Sequence, residues 1–123
     1  MAGKHIVLIG IDPALIDWSA VPGRDASHVR AAGAGAEQRL RELGHTVSQC
    51  LVDFGATAEA AVVAALAARP CDCVMIGAGI RAAPQHTRLF ETIVNAVRRQ
   101  APGAALCFNS SPDDTLDAVL RWL

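Results

Sequence analysis

Four apolar clusters, each followed by a stretch with helical spacing, organise this chain. His5-Ile-Val-Leu-Ile-Gly-Ile11 is a continuous, largely β-branched run with no alternation, the pattern of a strand buried on both faces and hence central in a sheet. From Asp25 to Leu43 the residues Val29, Gly33, Ala36, Leu40 and Leu43 recur at intervals of four, three, four and three, which predicts an amphipathic helix, and Gly44 supplies its stop. His45 to Val52 reads as a second strand. Its Val47, Gln49 and Leu51 alternate with Thr46, Ser48 and Cys50, and this less uniformly apolar pattern suits an edge.

Thr57 is the expected N-cap of a helix over Ala58–Ala68, rich in alanine and ended by Pro70. Cys71 to Ile76 predicts a third strand, broken by Gly77-Ala-Gly79. A third helix is expected to begin near Pro84 and to bury Phe90, Ile93, Val94 and Val97, with Arg98 and Arg99 at its negative end. Ala104 to Phe108 predicts the last strand. It leads through Asn109-Ser-Ser-Pro-Asp-Asp114, where Ser111 caps and Pro112 takes the first helical position, into a helix burying Leu116, Val119, Leu120 and Leu123.

Strands that alternate with helices, joined by links too long for hairpins, imply parallel strands with right-handed crossovers. The expectation is a three-layer α/β/α domain over residues 1–123 with a four-stranded parallel sheet in the order 2-1-3-4. That layout resembles the flavodoxin-like folds shortened by one strand; a Rossmann-like order in a minimal sheet is the alternative.

Composition removes several classes of function. With 123 residues, 52% hydrophobic and 19% charged, and a net charge of -1, the chain reads as one ordinary globular domain. It carries no charge footprint for nucleic acid or an anionic membrane. No apolar run approaches the roughly 20 residues that cross a bilayer, and no signal-type stretch follows Met1, so a cytoplasmic address is expected. Cys50, Cys73 and Cys107 fall within predicted strands and are expected as reduced, buried thiols. Cys71-Asp-Cys73 has neither redox nor zinc-knuckle spacing. Neither a metal nor a cofactor is expected.

In an open parallel sheet the ligand crevice lies at the carboxyl ends of the strands where connections diverge, between the first and third strands for this order. Three segments converge there: Gly10-Ile-Asp-Pro13, Gly77-Ala-Gly-Ile-Arg81 and Asn109-Ser-Ser111. Asp12 is the candidate base or nucleophile, or else the cap of an Asp-Pro turn. Arg81 is a candidate anchor for a carboxylate or phosphate, or a solvated loop residue. Asn109 is a candidate donor to developing charge, and like Ser110 has local capping as its other role. Gly10, Pro13, Gly77, Gly79, Ser110, His86 and Trp18 complete the candidate ligand contacts. The loop from Asp12 to Arg24 is long and carries Leu15, Ile16, Trp18 and Val21. Three roles are open to it: a lid, a subunit interface, or a segment folded back on the first helix.

Gly33-Ala-Gly35 lies inside a helix, and Gly77-x-Gly79 has no third glycine opening the next helix, so neither forms a dinucleotide cradle; no P-loop lysine exists. The pattern also resembles response-regulator receiver domains, with Asp12 where their acidic pair begins. It departs from them at Gly77, where their phosphoacceptor aspartate ends the third strand, and in having Lys4 as its only lysine. Ile11-Asp-Pro-Ala-Leu-Ile16 is not the hydroxyl-rich loop of flavodoxins. Phe108-Asn-Ser-Ser-Pro112 loosely resembles the second motif of haloacid dehalogenase-like hydrolases, whose lysine and acidic motif are missing. These likenesses imply a fold. The functional expectation is a small polar or anionic molecule bound at the crevice, with a metal-free hydrolase or lyase as its catalytic form. The competing expectation is an interaction module, a homodimer foremost, that uses residues 13–22.

Overall fold

In the computed structural model, which describes residues 3–123, four parallel strands run in the order β2-β1-β3-β4. They are β1 (His5–Ile11), β2 (Thr46–Val52), β3 (Cys73–Ile76) and β4 (Ala105–Phe108). The helices are α1 (Ala26–Glu42), α2 (Ala58–Ala68), α3 (Ala78–Arg81), α4 (Thr87–Gln100) and α5 (Thr115–Leu120). The arrangement is α/β with a flavodoxin-like three-layer layout, as the strand and helix patterns imply. Among the described residues no helix is long and apolar enough to cross a membrane.

The centrality of β1 follows from its composition. Ile6, Val7, Leu8 and Ile9 are all buried, and each such side chain contributes on the order of 1.5–3 kcal/mol when removed from water. Only a strand with a neighbour on each edge and a helix layer on each face buries all four. On one face Val7, Ile9, Val74 and Ile76 pack under α2 and α4 through Val62, Leu66, Ile93 and Val97. On the other, Ile6, Leu8, Cys73, Met75 and Cys107 meet Leu40 of α1 and Ala118 and Val119 of α5. Registers such as Ile9 opposite both Cys50 and Ile76 align the strand ends that form the crevice.

Several local details differ from the sequence pattern. β3 begins at Cys73 rather than Cys71, because the Asp72 carboxylate accepts the His5 N–H at 2.9 Å and bends the chain before the strand. The third strand is followed at once by the short α3. The long helix after it starts at Thr87 rather than near Pro84, with Pro84–His86 forming a separate 3-10 turn. Thr57 makes no side-chain cap; its N–H and hydroxyl both donate to Asp53, whose carboxylate closes the turn before α2. Hydrogen bonding from Gly55 and Thr57 holds the Asp53 carboxyl below its usual range. Leu43 and Leu120, expected in the core, are exposed: Leu43 lies past the end of α1, and Leu120 sits on the outer side of α5 while Val119 and Leu123 pack against the core. Cys50, Cys73 and Cys107 are buried free thiols, with the sulfurs of Cys73 and Cys107 3.5 Å apart. Contact with Cys73, then burial, pushes the Cys107 thiol up.

Candidate functional site

A groove of about 560 Å³ opens at the carboxyl ends of β1 and β3, on the face covered by α1 and α5. The backbone creates it. Along β1, Ile6 and Leu8 fill this face, but Gly10 next in the same alternation has no side chain. A Cβ added to Gly10 would meet nothing within 4 Å. In a close-packed interior a central strand position is normally contacted from above, so the open space over Gly10 marks a real gap between sheet and helices. Gly33 of α1 leaves room on the opposite wall, where an added Cβ would find only the Gln49 amide at 3.9 Å. Gly77 completes the floor, where a Cβ would make a tight 3.2 Å approach to the Ile9 carbonyl.

The loop between β1 and α1 covers this gap. Asp12 donates its N–H to the Val52 carbonyl at 2.9 Å, carrying the ladder one residue beyond β1. Its carboxylate accepts the Ala14 N–H at 3.0 Å and so caps a 3-10 turn over Pro13–Leu15. Asp17 caps a second turn, Trp18–Ala20, in the same way. The Trp18 indole N–H donates to the Pro13 carbonyl at 3.0 Å, tying the two turns together and fixing the ring. Pro13, Ile16, Trp18 and Val21 thereby line the groove opposite Val29, Gly33 and Ala34 of α1, while Leu15 stays exposed.

The far side is built from the segments after β3 and β4. Asn109 is buried, and its amide is held at both ends: the oxygen accepts the Ala78 N–H at 2.8 Å and the nitrogen donates to the Thr115 hydroxyl at 2.9 Å. The Thr115 hydroxyl donates onward to the Pro112 carbonyl at 3.1 Å. Arg81 does not line the groove. Its guanidinium donates to the Asn109 carbonyl and lies over the Phe108 ring, 5.5 Å from the centroid, which ties α3 to the end of β4. Ser110 donates its N–H to Asp114, and the hydrogen bond from its hydroxyl holds the Asp114 carboxyl below the usual range. His86 is stacked on Phe54, with centroids 5.0 Å apart. Its Nδ1 lies 3.2 Å from the Gly79 carbonyl; a carbonyl only accepts, so this nitrogen carries the proton. His28 of α1 reaches Asp113 at 3.1 Å and joins the groove's two walls.

The candidate residues are therefore distributed unevenly. Gly10, Pro13, Trp18, Gly77, Gly79, His86 and Asn109 all line the groove. Asp12, Arg81 and Ser110 lie beside it and make the local contacts just described. Sequence reasoning did not single out Arg24, Arg30, Gly33, Gln49, Leu51 or Phe54, which also line it. One signal was available for Gly33: a glycine on the buried stripe of a helix leaves space opposite it. Phe54 and Leu51, exposed beside the groove, had no such signal. No protein-family model matches this chain, and no curated protein sequence matches it.

Proposed function

We propose that this protein binds a small molecule in the groove at the carboxyl ends of β1 and β3, beneath the loop of residues 12–24. The open space above Gly10 carries the reading: a central strand facing a gap of about 560 Å³ between its own helices is a receptacle held open by the fold. Apolar side chains make most of the lining, and the fixed Trp18 ring gives the ligand a flat surface. Binding is the supported activity. A hydrolase or lyase form would need the Asp12 carboxylate to give up the Ala14 N–H and turn inward.

The test uses a Trp122→Phe protein, which leaves Trp18 as the single tryptophan, and the apolar dye N-phenyl-1-naphthylamine. Saturable dye emission with energy transfer from Trp18 is expected, and Gly33→Leu, which fills the groove from the α1 side, should abolish it. Equal binding to the Gly33→Leu protein, or no saturable binding at all, would refute the site.

A second reading rests on Leu51 and Phe54, which line the groove and are 52% and 45% exposed. Two copies pressing these mouths together would cover them. Light scattering on wild type and Phe54→Ser decides this: a monomer at all concentrations removes the reading, and a dimer lost in Phe54→Ser supports it.

A further inference from the structure

The groove's charge and wall geometry together narrow what it accepts. Two arginines, Arg24 from the covering loop and Arg30 from α1, line it. Among the described residues neither has a carboxylate within ion-pair distance, a state they share with Arg69, Arg81, Arg88, Arg98 and Arg121; what sets Arg24 and Arg30 apart is that, though exposed, they line the groove. Glu37 also lines the groove, but its charge is taken up by Arg41 at 3.0 Å. A chain of net charge -1 thus presents two guanidinium groups without a carboxylate partner at the rim of a largely apolar groove. Such groups receive carboxylates, sulfonates or phosphates through planar paired donors.

The walls favour a flat body over a flexible chain. Trp18 is held by its bond to Pro13, the Phe54–His86 stack stands at the mouth, and Gly10 and Gly77 present bare backbone as a floor. Aromatic rings gain from offset stacking on such faces, and a glycine floor lets a planar ligand lie close to the strand. Resting on the binding site proposed above, we infer that the ligand is a planar aromatic anion: a fused or substituted aromatic ring system bearing one acidic group, with the ring between Trp18 and the glycine floor and the acid at Arg24 and Arg30.

Two dyes that differ by a single sulfonate test this. 8-Anilinonaphthalene-1-sulfonate is N-phenyl-1-naphthylamine with an acidic group added, so the sulfonate should bind at least about tenfold tighter, as expected for a charge-assisted hydrogen bond. Arg24→Ala and Arg30→Ala should each remove most of that advantage, weakening the sulfonate far more than the neutral dye. Raising the salt should weaken the sulfonate selectively. In competition, 2-naphthoate should displace the sulfonate at far lower concentration than octanoate. Equal affinity of the two dyes, with no effect of either arginine substitution, would overturn the anion assignment while leaving the binding site intact. Octanoate competing as well as naphthoate would overturn the aromatic one. If neither dye binds, or both bind undiminished to Gly33→Leu, the site itself fails.

Discussion

Two glycines of α1 should respond alike in stability and differently in binding. Gly33 and Gly35 both lie in the interior of a 17-residue helix, where glycine is about 0.8–1.0 kcal/mol worse than alanine. An added Cβ meets nothing within 4 Å at Gly35 and only the Gln49 amide at 3.9 Å at Gly33, which is ordinary van der Waals contact. No steric penalty offsets the gain at either position, so Gly33→Ala and Gly35→Ala should each stabilise by about 0.8–1 kcal/mol. The two side chains leave the helix in different directions, so the double variant should gain roughly 1.6–2 kcal/mol. With unfolding entropy near 2.1 cal/mol/K per residue, that is a rise in Tm of about 6–8 °C. Urea unfolding followed by circular dichroism, with unchanged m, measures it. Binding separates the pair, because Gly33 lines the groove and Gly35 does not. Gly33→Ala should weaken N-phenyl-1-naphthylamine binding and Gly35→Ala should leave it alone. A Gly33→Ala protein less stable than wild type, alongside a stabilised Gly35→Ala protein, would show that the space over Gly33 is occupied and would refute the reasoning.

Other residues give sharper tests of the frame. Asn109→Ala removes the acceptor of the part-buried Ala78 N–H and the donor to the Thr115 hydroxyl and should cost about 1–3 kcal/mol in denaturant unfolding; a loss under 0.5 kcal/mol would mean the amide network does not hold the strand ends together. His5 is buried, with its ring nitrogens 2.7 Å from the Thr46 hydroxyl and 3.0 Å from the Ser48 hydroxyl, and burial, then the charges of Arg69 and Arg41 against that of Asp72, lowers its pKa from 6.5. The folded state keeps this ring neutral where the unfolded chain protonates, so its contribution is complete above pH 6.5 and is lost as pH falls through the lowered value, with a slope up to about 1.4 kcal/mol per pH unit. Urea midpoints measured between about pH 5 and 7 should fall more steeply for wild type than for His5→Gln, and identical slopes would contradict the assignment. Cys71 is only partly buried while Cys50, Cys73 and Cys107 are inaccessible, so a native-state thiol titration should count one slowly reacting group, slowed by burial that raises the Cys71 pKa, and four in denaturant. More than one reacting thiol in the folded protein would show that the strand core opens.

Much of this molecule is written locally. The run Ile6–Ile9 specifies a doubly buried strand because each of its side chains is apolar whichever way it points, and the helical spacing of Leu40 and Ala36, or of Ile93 and Val97, specifies which face meets the sheet. Those patterns made 2-1-3-4 the expected order with a Rossmann-like one as the alternative, and the packed sheet takes the first. Short-range chemistry was legible as a set of alternatives: an Asp-Pro pair offers a cap or a catalytic carboxylate, and the fold decides in favour of the Ala14 contact in this conformation. What the sequence could not specify is which polar groups turn into the crevice. Arg81 and Arg30 are equally charged along the chain, yet Arg81 is drawn over Phe108 and onto the Asn109 carbonyl while Arg30 is left at the groove. That difference depends on how α1, α3 and the strand ends pack against one another, which is fixed only when sheet and helices come together.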